Sequence, residues 1–316
     1  MQEKYKPHLF LFTVNLIYAG NFTIAKIAMP QYISANAFIV IRAAVGALFF
    51  FIIHSLFIKE KVQKQDWQRL VLCALFGVAI NQVMFFKGLA ITSPINASLI
   101  MILAPIMVML ISSIYLKELI SFSKFLGVIS GLAGASFIII SGNNLSELSI
   151  SKGDLFIFIN ASSYAFYLVL VKSLMKKYEA LTIVKWVFFF GFFMVLPIGI
   201  HQLNDVQWMA LPRIVWVSII YVLLGTTILT YLLNALSLKI SSATLVSTYI
   251  YLQPLLATLI AVIAGKDELS WKKVLAGSFI FLGVYLVTVK KKKPKFVLNT
   301  SLLIPLLLCI SPIFAT

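Results

Sequence analysis

The polar side chains that interrupt the apolar runs of this 316-residue chain fall at helical spacing. Asn160, Ser163, Tyr164 and Tyr167 stand at i, i+3, i+4 and i+7 and so share one helix face. Asn15 and Tyr18 share a face upstream, as do Asn81 and Phe85, with Gln82 beside them. Thr227, Tyr231 and Asn234 make a further row, and Tyr251 aligns with Ser247 and Pro254. Amides, phenols and rings of this kind hydrogen-bond and stack. The chemistry they offer is recognition of a small zwitterion or an aromatic metabolite, with cation–π contact as a further means. Arg42 adds a guanidinium deep in an apolar segment, and such a group needs an acceptor. That acceptor is either a backbone carbonyl freed near Pro30 or Pro94, or a carboxylate on the solute. Lys26 and Lys87 lie nearer segment ends, where snorkelling to the headgroups is expected.

Other chemistries lack their residues. The ten Asp and Glu fall in loops or at segment ends, and His8, His54 and His201 lie near ends as well. A metal centre or an intramembrane general base would want clusters of these inside the spans, and a proton relay would rest on buried carboxylates or histidines. There is no Gly-rich phosphate loop of the Walker type. Neither catalysis, metal nor cofactor is therefore expected, and solute movement would be facilitative or by exchange, without carboxylate-based proton coupling. Cys73 and Cys309 sit in apolar segments far apart and read as buried thiols. Taken singly, each polar residue would serve equally well in helix–helix hydrogen bonding, worth about 0.6 kcal/mol on average. A structural or scaffold membrane protein is thus the alternative reading. Polar faces on so many interior helices point instead to a solute cavity.

These side chains must be positioned by helices in lipid. Hydrophobic residues make up 61% of the chain and charged residues 11%, too few to solvate a soluble surface of this size. The apolar runs are continuous rather than alternating, which selects a helical bundle over a barrel. Ten spans follow from them: 9–29, 34–58, 69–91, 95–116, 122–141, 154–175, 182–203, 213–238, 243–265 and 271–289. The net charge of +16 resides in short loops, so it reads as a topology signal and no nucleic-acid partner is expected. With the N-terminus in the cytoplasm, Lys59, Lys61, Lys64, Arg69, Lys172, Lys176, Lys177 and the run Lys290 to Lys293 all lie inside. The expected location is the cell (inner) membrane, multi-pass, with both ends of the ten-helix core cytoplasmic. The N-terminus reads as a retained first span, and the apolar tail after Lys295, broken by Pro305 and Pro312, as an interfacial or disordered segment.

The spans divide five and five, and the halves resemble one another. Leu89 pairs with Leu238, Ile91 with Ile240, Ser93 with Ser242, Ser98 with Ser247 and Pro105 with Pro254. After one inserted residue, Glu118-Leu119 meets Glu268-Leu269 and Gly127 meets Gly277. Earlier in each half, Tyr18-Ala19 and Lys26 line up with Tyr164-Ala165 and Lys172. An odd number of spans per half makes the repeats point in opposite directions, the arrangement of secondary transporters with a site near the midplane. The halves cover 1–144 and 152–290, with 291–316 as a basic stop and tail. Pro105 and Pro254, inside spans four and nine, are the expected hinges. Gly127, Gly131 and Gly134 in span five, and Gly277 and Gly283 in span ten, would serve as homodimer faces or as scaffold contacts.

The chain from about residue 9 to 290 resembles the EamA-type permeases of the drug/metabolite transporter superfamily. The features that carry the resemblance are Tyr18-Ala19-Gly20-Asn21-Phe22 with Lys26, Arg42, Gly88-Leu89 with Thr92-Ser93-Pro94 and Ala97-Ser98, Pro105, Lys117-Glu118 and Gly127, with their second-half counterparts. Tyr18 stands where the family often carries Trp. The resemblance implies ten helices in two inverted five-helix repeats, both termini cytoplasmic, and export of amino acids or other small metabolites. Its expected partners are a small-molecule substrate and the lipid bilayer.

Overall fold

The computed structural model describes residues 2–141, 151–263 and 270–288. Ten of its helices are long and apolar enough to cross a membrane. Span one is α1 (Gln2–Ala28) and span two is α2 (Ala35–Phe57). Span three is built of α3 (Trp67–Ala74), a π-helical stretch (Leu75–Ala79) and α4 (Ile80–Ile91). Span four comprises α5 (Pro94–Met101) and α6 (Ala104–Tyr115), and span five is α7 (Phe122–Ser141). Spans six and seven are α8 (Lys152–Leu174) and α9 (Ala180–Gly199). Span eight joins α10 (Arg213–Ile220), a π-helical stretch (Tyr221–Leu229) and α11 (Thr230–Ile240). Span nine runs through α12 (Ala243–Thr248), a 3-10 turn (Tyr249–Tyr251) and α13 (Leu252–Ile263), and span ten is α14 (Trp271–Thr288).

The boundaries differ from expectation where local chemistry intervenes. Span one begins several residues earlier, at Gln2, with Pro7 inside its first turns. Span seven ends at Gly199 instead of Leu203, which falls in a separate short 3-10 turn. The Gly142-Asn143-Asn144 stop, Gly265, the Glu268-Leu269 pairing, Lys290 to Lys293 and the tail lie outside the described residues.

The repeat is written into the caps. Ser93 and Ser242, partners in the repeat register, each cap the fourth helix of their half, accepting from Asn96 N at 3.0 Å and Leu245 N at 3.1 Å. Both fourth helices are also interrupted just ahead of the paired prolines, span four at Ile102-Leu103 and span nine at the 3-10 turn. A proline near the start of a helical segment forfeits no intrahelical bond, so a break placed before it is the inexpensive arrangement.

The halves interlock. Span two packs on span seven, span three on span six, span one on span eight, and span five on span ten. Glycines set the closest approaches. A Cβ on Gly127 would meet the Gly283 carbonyl at 2.7 Å, and one on Gly134 the Ala276 carbonyl at 2.6 Å. Gly127, Gly134 and Gly283 thus pack spans five and ten against each other, while Gly131 and Gly277 receive Tyr251 and Leu255 of span nine. Amides are buried within the apolar interior while large apolar side chains face outward. Gln82 and Asn160 are each 2% exposed, while Leu48 is 65% and Phe57 76% exposed on the lipid-facing perimeter.

Candidate functional site

The polar faces converge on a cavity of about 100 Å³ between the halves, room for several water molecules. Eleven of the thirteen expected site residues line it: Asn15, Tyr18, Arg42, Asn81, Gln82, Phe85, Asn160, Tyr164, Tyr167, Tyr231 and Asn234. The lining follows the repeat. In the register of the first spans, Val14 pairs with Asn160, Tyr18 with Tyr164, Asn21 with Tyr167 and Phe22 with Leu168, and all eight face the cavity. In the register of the third and fourth spans, Gln82 pairs with Tyr231, Phe85 with Asn234 and Met101 with Ile250, and these too are lining residues. The cavity is thus lined by corresponding positions of the two halves, as expected near an axis relating them.

There the partners touch. Gln82 Nε2 donates to the Tyr231 hydroxyl at 3.1 Å, and the same hydroxyl donates to the Gly77 carbonyl at 2.9 Å. Gly77 belongs to the π-helical stretch of span three, where the ladder of hydrogen bonds is re-spaced. Asn81 and Asn160 make a reciprocal pair, Asn160 Nδ2 donating to the Asn81 carbonyl at 2.7 Å and Asn81 Nδ2 to the Asn160 carbonyl at 3.3 Å. Because those partners only accept, the amide oxygen of Asn160 is turned away from them. Asn160 Oδ1, Gln82 Oε1 and Asn21 Oδ1 are buried acceptors without a protein partner. Such atoms are costly unless something donates to them.

Arg42 finds neither of its expected carbonyl acceptors near Pro30 or Pro94. Its Nε donates to Thr227 Oγ1 at 2.8 Å, and Nη2 lies 3.3 Å from the Thr226 carbonyl and 3.4 Å from Thr226 Oγ1. Both threonines stand in the π-helical stretch of span eight. The Phe86 ring lies 4.7 Å from the guanidinium carbon. No ion pair to a carboxylate forms at Arg42 among the described residues. The guanidinium is thus held on one edge by neutral oxygens and lines the cavity with its charge unpaired by a carboxylate among the described residues.

Two expected residues lie elsewhere. Ser163 donates its hydroxyl to the Phe76 carbonyl at 2.6 Å, tying span six to the π-helical stretch of span three. Tyr251 is fully buried with its ring against Gly131 of span five. Thr227, read as part of the polar row, serves Arg42. Lys26, expected to snorkel, donates to the Thr92 carbonyl at 2.8 Å.

The EamA-like transporter family matches residues 6–140 and again residues 151–289. This chain belongs to that family. It is a multi-pass membrane protein of the drug/metabolite transporter superfamily and a membrane transporter. It is 24% identical to the uncharacterized transporter YyaM of Bacillus subtilis, over 92% of this chain and 95% of that one. An uncharacterized transporter of Archaeoglobus fulgidus is 27% identical over 90% and 98%. A WAT1-related protein of Arabidopsis thaliana is 23% identical over 89% and 84%. A solved crystal structure superposes with a TM-score of 0.72 at 17% identity, covering 89% of this chain and 96% of the other, which shows the same fold.

The EamA-like site also uses residues that spacing alone did not single out. Asn21 and Phe22 continue the Asn15–Tyr18 face by one more turn and were carried only by the family motif. Gln253 lines the cavity and donates from Nε2 to Asn15 Oδ1 at 2.9 Å. The face that span nine presents is Val246, Ile250 and Gln253, one residue earlier than the Ser247–Tyr251–Pro254 row. The signal was Gln253 itself, a lone amide in the middle of an apolar run.

Proposed function

We propose that the protein is a secondary transporter, an exporter, that moves small metabolites such as amino acids by alternating access around the central cavity. The observation that carries this reading is the pairing of Arg42, free of a protein carboxylate among the described residues, with the orphan amide oxygens of Asn21, Gln82 and Asn160 in one cavity lined by both halves. A carboxylate would meet the guanidinium, and an ammonium or amide N–H would donate to those oxygens. Tyr18, Tyr164, Tyr167, Tyr231 and Phe85 supply aromatic walls for the remainder of the solute. Asn15, Asn81 and Asn234 complete the polar set. The breaks ahead of Pro105 and Pro254 are the hinges about which the halves would rock.

Among the described residues the lining holds no Asp, Glu or His, which favours facilitated movement or exchange. Positive-inside bias supports a topology in the cell membrane with both ends of the helical core on the cytoplasmic side. The test is uptake and efflux of radiolabelled amino acids and nucleosides by proteoliposomes, with Asn160→Ala and Arg42→Gln beside the unmodified protein. Saturable flux of a carboxylate-bearing solute that the variants abolish supports the reading. Saturable flux of a solute lacking any carboxylate, unaffected by Arg42→Gln, would overturn it.

A further inference from the structure

The repeat register extends beyond the cavity to two polar clusters at opposite ends of the bundle. At one end, Lys26 of span one donates to the Thr92 carbonyl, at the corner between spans three and four. The Thr92 hydroxyl donates to Asp154 Oδ1 of span six, which belongs to the other half. In the register that pairs Tyr18 with Tyr164, Lys26 pairs with Lys172. In the register that pairs Ser93 with Ser242, Thr92 pairs with Ser241. At the opposite end Lys172 donates to the carbonyls of Ser241 and Leu238, at the corner between spans eight and nine. There too a carboxylate arrives from the other half, Glu118, which accepts from the Thr244 hydroxyl at 3.4 Å. Each cluster repeats one design. A lysine of a half's first span grips that half's own third-to-fourth corner, and a threonine at or just past that corner reaches a carboxylate of the opposite half.

What each corner controls follows from the broken helices. The short α5 runs from the first corner to the interruption at Ile102-Leu103, and α12 runs from the second corner to the 3-10 turn at Tyr249–Tyr251. Each is fastened at one end by the cluster and hinged at the other by the break. Met101 at the end of α5, Val246 within α12 and Ile250 in the 3-10 turn after it are cavity-lining residues. Displacing either short helix therefore opens the cavity toward its own face. We propose that the two clusters are the gate latches of the transporter, Lys26–Thr92–Asp154 holding α5 shut on one face and Lys172–Ser241 with Glu118–Thr244 holding α12 shut on the other. This rests on the transport reading above. Its residues position the gates and do not touch the solute.

The test reads which face reaches the cavity. Val246→Cys, in a background with Cys73 and Cys309 replaced, is labelled in proteoliposomes by a membrane-impermeant maleimide from each side. Insertion direction is set by protease access to an N-terminal tag. Asp154→Ala and Thr92→Val, which remove the acceptor and the donor of the bond between them, should raise labelling from the Lys26 face relative to the other by roughly fivefold, the worth of one net hydrogen bond. Lys172→Met should move the ratio by a similar factor in the opposite sense, and Glu118→Ala in that opposite sense by less, because its contact with Thr244 at 3.4 Å is at the long limit. Ser151→Ala disturbs the cap of span six, where Ser151 and Asp154 form a capping box, without touching Thr92, and should leave the ratio alone. Opposite signs at the two ends support the latches. A ratio unmoved in all four folded variants, or moved the same way by both pairs, overturns them. If the ratios move as stated while no solute in the panel is carried, the latches stand and the substrate reading falls.

Discussion

Arg42→Gln separates the structural role of the guanidinium at Thr227 from its proposed role in holding a substrate carboxylate. For stability, the change removes one good charge-assisted bond, Nε to Thr227 at 2.8 Å, worth about 1.5–3 kcal/mol. The contacts to Thr226 at 3.3 and 3.4 Å are at the long limit and add little. Against that loss stands relief from burying an unpaired cation, a cost of several kcal/mol per ion. The two nearly offset, so the solute-free variant should melt close to the unmodified protein or slightly above it. For binding, the same change deletes the partner of a buried substrate carboxylate, about 2–5 kcal/mol. That is roughly 30-fold to several-thousandfold in Kd at about 1.4 kcal/mol per decade. Arg42→Lys keeps the charge but not the planar fork, and should fall between. Thermal unfolding in detergent with and without solute, alongside isothermal titration, reads both quantities. A variant that unfolds many degrees lower yet binds unchanged would show that Arg42 only props the π-helical stretch of span eight.

The remaining predictions use residues with single partners. Tyr251→Phe removes a buried hydroxyl that has no partner, so it should raise the melting temperature, by the equivalent of about 1 kcal/mol, and leave transport unchanged. Gly131→Leu drives a side chain into the Tyr251 ring and should destabilise by about 1–3 kcal/mol or more. Pairing it with Tyr251→Ala should recover part of that loss in the same melting assay. Ser163→Ala leaves the Phe76 carbonyl short of a donor and should cost about 1 kcal/mol of stability with solute Kd unchanged. Because, among the described residues, Arg42 and tyrosines are the ionisable groups that line the cavity, initial transport rates should stay within about twofold between pH 5 and 8. A tenfold dependence on pH or on an imposed proton gradient would refute the facilitative reading.

How much of the molecule was legible in the sequence depended on the kind of signal. The inward faces of spans one, three, six and eight were legible, because amides and phenols repeated at helical spacing are expensive against lipid and must turn toward the interior. The face of span nine is displaced by one residue along its whole length, with the spacing unchanged. Ser247 spends its hydroxyl on the Thr244 carbonyl and Tyr251 packs on Gly131, so that polar row marks a helix contact and not the cavity. The π-helical stretches at Leu75–Ala79 and Tyr221–Leu229 left no trace in composition, since apolar residues fill an α-helix equally well. They supply both the Gly77 carbonyl that holds Tyr231 and the threonines that hold Arg42. The acceptors of Arg42 were misplaced for the same reason. The partner of Lys26 was hidden because a lysine near a span end can always reach headgroups, and only the fold puts Thr92 within its reach.

The contact between Gln82 and Tyr231 bears on the ancestry of the chain. These positions correspond in the repeat register of a chain that the family model matches twice, and in a protein assembled from two identical halves they would face a copy of themselves. Two glutamines there would lack the phenol that reaches Gly77, and two tyrosines would lack the amide that donates to the ring hydroxyl. Divergence after duplication has made the halves mutually dependent, so neither could now be traded for a second copy of its sister.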